Sequence, residues 1–198
     1  MKVQFYLKII GDDRLSAKNR GAKTKPFDFY PTPIDVVDKL LIKHKIQDGT
    51  ILEPCAGNGV IIKSLRNYGY TNKIIANEIR KEEESNLIHS GADEITYDDF
   101  LLKYEVDKSV KTVITNPPFT YAKEFLEQCF KLYPNAEIIM LLRLAFLESK
   151  KRYEFWQQHP VSKLYVLSER PSFTGEGTDA TAYAWFVWNE DYSMIEVV

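Results

Sequence analysis

The chain reads as a doubly wound α/β protein with a mostly parallel sheet. Three observations predict this. From about Pro33 onward, short apolar runs alternate with helical segments, the pattern of a parallel sheet covered on both faces. One strand-to-helix junction, Ile51 to Ile62, is a glycine loop of the kind that opens βα units. The last two strands have only a loop between them, which predicts a closing hairpin at one end of the sheet.

The elements follow in chain order. Residues 3–9 alternate apolar and mixed side chains and read as an additional edge strand. Residues 14–25 carry Arg14, Lys18, Arg20, Lys23 and Lys25 without an acid, a basic arm suited to phosphate contacts. Together, 1–26 form an N-terminal strand and arm ahead of a single domain over 27–198. A helix over 34–45 puts Ile34, Val37, Leu40 and Leu41 on one face. Strands are expected near 50–54, 73–78, 94–97, 110–115, 136–142, 163–168 and 182–188. Helices are expected near 60–67, 81–89, 121–132 and 147–158.

A chain of 198 residues is one domain by size, with room for a substantial core. Two cysteines, Cys55 and Cys129, make no disulfide framework, and His44, His89 and His159 lack metal-ligand spacing, so no metal is expected. Without an apolar leader or a spanning run, the expected location is the cytoplasm, with no membrane partner. A net charge of −2 is unlike that of strong nucleic-acid binders. The basic arm and the run Lys150-Lys151-Arg152 are the local exceptions.

Two motifs carry chemistry. Asn116-Pro117-Pro118-Phe119 follows the apolar run Val113-Ile114-Thr115. Successive prolines fix φ and constrain the residues before them, giving a rigid hook at a strand end. It offers one amide, outward carbonyls and a ring, a set suited to accepting protons from a planar amine while stacking beside it. Upstream, Glu53-Pro54-Cys55-Ala56-Gly57-Asn58-Gly59 lets backbone approach a ligand closely, and Glu78 lies about 20 positions on, where a carboxylate takes ribose hydroxyls. Ile62 stands where a dinucleotide fingerprint needs its third glycine, and no Gly-Lys-Ser/Thr of a P-loop follows. A nucleoside without a pyrophosphate fits better, and S-adenosylmethionine (S-adenosyl-L-methionine) is the candidate. Glu53, Glu78, Asp98-Asp99-Phe100 and Asn116 all fall at strand carboxyl ends, hence in one crevice.

The glycine loop followed by Asn116-Pro117-Pro118-Phe119 resembles the paired motifs of amino-group methyltransferases. With Phe27-Asp28-Phe29-Tyr30-Pro31-Thr32-Pro33 ahead of both, the chain is similar to the S-adenosylmethionine-dependent adenine-specific (N6) DNA methyltransferases, above all compact members from phages and mobile elements. The resemblance spans roughly 27–188. It implies the class I methyltransferase (Rossmann-like) sheet with an antiparallel final strand, and methyl transfer to adenine N6 in DNA after base flipping. It implies a catalytic set of Asn116, Pro117, Pro118 and Phe119. The cofactor would be held by Tyr30, Thr32, Glu53, Pro54, Ala56, Gly57, Gly59, Glu78, Asp99 and Phe100. In that pattern Asp99, or alternatively Asp98, accepts from the cofactor's adenine amine, Phe100 flanks that ring, and Tyr30 and Thr32 close over its methionine end.

No separate recognition domain is expected, which leaves the loop 169–181, with Arg170 and Phe173, or a partner chain to select the target. An RNA adenine methyltransferase and a non-catalytic nucleic-acid-binding subunit are the alternatives. A protein glutamine methyltransferase usually has Tyr where Phe119 stands.

Overall fold

The structure, a computed structural model, describes residues 29–173 and 177–189. The strand expected over 3–9, the basic arm over 14–25, and Phe27 and Asp28 lie outside the described residues.

One sheet contains β1 (Thr50–Glu53), β2 (Ile74–Asn77), β3 (Glu94–Thr96), β4 (Val110–Thr115), β5 (Glu137–Arg143), β6 (Lys163–Val166) and β7 (Tyr183–Trp188). Their order is β3-β2-β1-β4-β5-β7-β6. The first five strands pair in parallel, as the alternation with helices requires. β7 runs antiparallel to both neighbours, so the final hairpin inserts its second strand between β5 and β6.

Helices α1 (Ile34–Leu41), α2 (Val60–Asn67), α3 (Glu84–Ser90), α4 (Ala122–Leu132) and α5 (Tyr153–Gln158) cover the two faces. Successive strand residues point to opposite sides. Ile51, Ile74, Ala76, Ile114, Ile139 and Trp185 therefore share one core with α1, α2 and Leu87 of α3. Leu52, Ile75, Val113, Ile138, Met140 and Phe186 share the other with α4 and α5. Strands buried on both faces need continuous apolar runs, which is why β5 reads Ile-Ile-Met-Leu-Leu.

Two helices are shorter than the sequence predicts. α1 stops at Leu41 rather than 45, and Ile34 is exposed, its place on the inner face taken by Val36. The chain leaves the helix so that His44 can enter the interior, where Nε2 lies 3.0 Å from Glu137 Oε1 and Nδ1 lies 3.1 Å from the Tyr165 hydroxyl. The helix expected over 147–158 begins only at Tyr153, after 3-10 turns at Leu144–Phe146 and Lys150–Arg152. The Arg152 guanidinium organises that stretch by donating to the carbonyls of Phe146, Ala145 and Glu148. No helix among the described residues is long and apolar enough to cross a membrane.

Trp185 ties β7 to α1. Its ring is fully buried and its indole N–H donates to the Val36 carbonyl at 2.9 Å. Trp185→Phe loses that bond and opens a void, so it is expected to lower unfolding free energy by about 2 kcal/mol or more. Urea denaturation checks this; a loss below about 0.5 kcal/mol would leave the bond without net effect.

Candidate active site

The polar residues at the carboxyl ends of β1 to β4 converge. Glu53 ends β1, Glu78 follows β2, Asp98 and Asp99 lie just beyond β3, and Asn116 follows β4. All of them line one cleft of about 900 Å³, its open mouth included, together with Tyr30, Thr32, Pro54, Ala56, Gly57, Phe100, Pro117, Pro118 and Phe119. Crevices beyond strand carboxyl ends, where connections diverge, are where open α/β sheets bind ligands.

The glycine loop divides its two glycines between two tasks. Gly57 has φ +56° and faces Phe29 so closely that a Cβ there would lie 2.9 Å from the ring. Its N–H donates to Glu78 Oε2 at 2.7 Å. Gly59, also expected at the cofactor, does not line the cleft. It caps α2 with φ +76°, and a Cβ would sit 2.6 Å from Ser90 Cβ. Its lack of a side chain serves the turn and the packing of α2 on α3.

Glu78 is buried and heavily engaged. Besides the Gly57 N–H, its Oε1 accepts from the Arg80 N–H at 3.0 Å and from Arg80 Nε at 3.1 Å. The Arg80 guanidinium lies 3.6 Å above the Phe29 ring and also pairs with Glu83 at 2.9 Å. A carboxylate has about four lone-pair sites, so roughly one remains for a ligand hydroxyl. The sequence reading missed Arg80, and it missed Asn77. The buried Asn77 side chain donates to the carbonyls of Pro54 and Asp98 and accepts from the Thr96 hydroxyl and the Asp98 N–H. It thereby joins the loops after β1 and β3. The available signal was an amide ending an otherwise apolar strand, Ile74-Ile75-Ala76-Asn77.

Asp98 and Asp99 differ in orientation. The exposed Asp98 carboxylate lies 3.6 Å from Lys103 Nζ. Asp99 caps the 3-10 turn Phe100–Leu102 by accepting from the Leu101 N–H at 3.0 Å. Phe100 is buried, stacked on Phe125 at 5.5 Å.

At the double-proline hook, Asn116 Nδ2 donates to Thr32 Oγ1 at 3.0 Å and to the Tyr30 carbonyl at 3.2 Å. Its Oδ1 is buried and has no hydrogen-bond partner among the described residues. Buried polar atoms normally find partners, so an orphan in a cleft marks a place for a ligand group. The chain then makes a 3-10 turn, Phe119–Tyr121, into α4. Phe119 is half-buried among rings: Tyr30 at 6.1 Å, Phe173 at 5.8 Å and Tyr183 at 5.4 Å, with the Arg143 guanidinium 4.8 Å away. Phe173 is itself buried, so the part of the 169–181 loop expected to contact a target instead packs against the hook. Asp179 braces the same loop by accepting from Thr181 and from the Tyr183 hydroxyl at 3.0 Å.

Four carboxyl groups, Glu53, Glu78, Asp98 and Asp99, give the cleft acceptor character, and burial changes the ionisation of Glu53 and Asp99. Glu53 is pushed well above its ordinary value, first by burial and then by the neighbouring Glu78 charge. Its Oε2 is buried with no partner among the described residues. Burial also raises Asp99, partly offset by its bond from the Leu101 N–H. Burial raises the Cys55 thiol too, although its Sγ lies 2.8 Å from Thr115 Oγ1. Such a thiol is no nucleophile at neutral pH.

No protein-family model and no curated protein matches this sequence. Solved structures match by shape. A candidate RNA methyltransferase from Pyrococcus horikoshii has TM-score 0.64 at 16% identity, covering 96% of this chain and 98% of its own. The 23S rRNA methyltransferase ErmE has TM-score 0.60 at 13% identity, covering 85% and 72%. A dimethyladenosine transferase from Plasmodium falciparum has TM-score 0.62 at 13% identity; 81% of this chain spans 63% of that one. The likeness is one of fold: the chain has the seven-stranded sheet of the class I methyltransferases, as its motifs led us to expect.

Glu53 makes a pH-dependent contribution to stability. Its folded value is raised above the unfolded value near 4.5, so the folded protein binds the proton more tightly. That stability is complete below pH 4.5 and is lost as pH rises through the folded value. Glu53→Gln stays neutral throughout. Its melting temperature relative to the parent is therefore expected to rise steadily from pH 4.5 upward. A difference that stays flat with pH, read by scanning calorimetry, would mean that burial leaves the Glu53 proton unaffected.

Proposed function

We propose that this chain transfers a methyl group from S-adenosylmethionine to the exocyclic amine of adenine in a nucleic acid. The observation that carries the reading is the Asn116 amide: its N–H end is held by Tyr30 and Thr32, its oxygen is buried and unpartnered among the described residues, and Pro117 next to it also lines the cleft. An acceptor in that state suits an amine proton.

The donor set of the cleft fits the cofactor. Glu78 would take a ribose hydroxyl, Asp99 an adenine amine, and the unpartnered Glu53 oxygen a donor from the amino-acid end. Phe29, with Arg80 stacked on it, would wall the nucleoside. Bound S-adenosylmethionine supplies an electrophilic methyl group on a sulfonium centre. The chain's own task is to make a poor nucleophile adequate. Asn116 Oδ1 and the Pro117 carbonyl would accept the two amine protons, localising the nitrogen lone pair and aiming it along the attack line. One such preorganised group contributes on the order of 2–4 kcal/mol to the barrier. Stacking beside Phe119 would contribute roughly 1–3 kcal/mol. That offsets part of the few kcal/mol needed to extrude a base from a duplex.

DNA is the polymer favoured by the segment Tyr30-Pro31-Thr32-Pro33 ahead of the glycine loop. RNA is the second reading, supported by the fold shared with proteins named as RNA and rRNA methyltransferases. The packed Phe173 supports selection of the target elsewhere, by the exposed cations Lys150, Lys151 and Arg170 or by a partner chain.

Incubation with labelled cofactor and separate DNA and RNA pools, followed by nucleoside mass spectrometry, is expected to yield N6-methyladenine. Methylated cytosine, or no methylated nucleoside in either polymer, would refute the reading. Asn116→Ala should cut turnover by about 30- to 1000-fold while cofactor affinity, measured by calorimetry, stays within a few fold. Glu78→Ala should instead weaken cofactor binding, and an unchanged dissociation constant would remove the ribose role.

A further inference from the structure

We propose that Thr32 is a positioning residue for Asn116, setting with the Tyr30 carbonyl which end of the catalytic amide meets the substrate. The inference rests on the methyl transfer proposed above. It departs from the role that the motif resemblance implies for Thr32, that of covering the cofactor.

An asparagine amide has two ends of nearly equal shape and opposite hydrogen-bond character. Packing alone cannot choose between them. If the amide turned by half a rotation, Asn116 would present N–H groups to the incoming amine and repel it. The choice must come from what the other end touches. Here Nδ2 has two N–H groups and two acceptors, Thr32 Oγ1 at 3.0 Å and the Tyr30 carbonyl at 3.2 Å. The carbonyl can only accept, so it decides the sense of the amide. The hydroxyl takes the second N–H and fixes the aim. Oδ1 is then the end left buried without a partner among the described residues.

The two acceptors are themselves placed by the backbone. Thr32 is buried and stands between Pro31 and Pro33, which hold their own φ and bias the residues before them to extended geometry. The residues lie 84 and 86 positions from Asn116 in the chain, so this contact joins the N-terminal segment to the hook. In this role Thr32 acts through Asn116.

Thr32→Val keeps the shape and removes the hydroxyl, and Thr32→Ser keeps the hydroxyl. Thr32→Val is expected to lower kcat roughly tenfold, what one lost hydrogen bond amounts to in a rate. Calorimetry should find the cofactor dissociation constant within about twofold, because the hydroxyl oxygen is oriented by accepting from Asn116. Thr32→Ser should recover most of the lost turnover. Independently of activity, the Asn116 side-chain amide protons should exchange with solvent more slowly in the parent and Thr32→Ser proteins than in Thr32→Val, read by NMR on the ligand-free protein. Unchanged kcat in Thr32→Val, a loss residing wholly in cofactor affinity, or identical amide exchange in all three proteins would each overturn the inference. Failure of the parent protein to methylate any nucleic acid would instead refute the proposed function, and the exchange measurement would still decide whether Thr32 holds the amide.

Discussion

The Glu78 carboxylate is the interaction on which the cleft is built. It accepts the Gly57 N–H, fixes the turn after β2 through the Arg80 backbone, and holds the Arg80 side chain, which Glu83 also grips. Arg80 in turn lies over Phe29, and Phe29 packs against the bare Cα of Gly57. A closed circuit results, in which each member needs the next. One consequence falls on Glu53. Its carboxyl is pushed well above the ordinary range, first by burial and then by the neighbouring Glu78 charge.

Much of this was legible in the sequence, for physical reasons that can be named. Parallel strands covered on both faces must be apolar throughout, so β1, β2, β4 and β5 announced themselves, and a strand pair without a helix between had to form a hairpin. Consecutive prolines leave the backbone so few choices that Asn116 could be placed at a strand end from sequence alone. Gly57 lines the cleft and Gly59 does not, a division the sequence hides because a glycine needed for a left-handed turn and one needed for ligand approach look the same in it. The end of α1 was misread because His44 leaves the helical pattern for partners 93 and 121 positions away. Arg80 resembled surface charge, and its contact with Phe29 exists only once the N-terminal segment has folded back.

The same limit applies around Phe119. The sequence marks it as a stacking ring, and the fold surrounds it with Tyr30, Phe173 and Tyr183 from three separate segments. Arg152, which reads as part of a basic run, is absorbed by three carbonyls of its own loop. Charge counted along a chain thus overstates what reaches the surface. In this molecule Lys150 and Lys151 are exposed while the half-buried Arg152 braces its own loop.

The short stretch from Phe29 to Thr32 touches both halves of the cleft, Phe29 against Gly57 on one side and Thr32 against Asn116 on the other. Such a strap has a fixed length. Inserting or deleting a single residue inside it would pull one anchor off its partner. The spacing from Phe29 to Thr32 is thus a single constraint, shared by the cofactor side of the cleft and the hook.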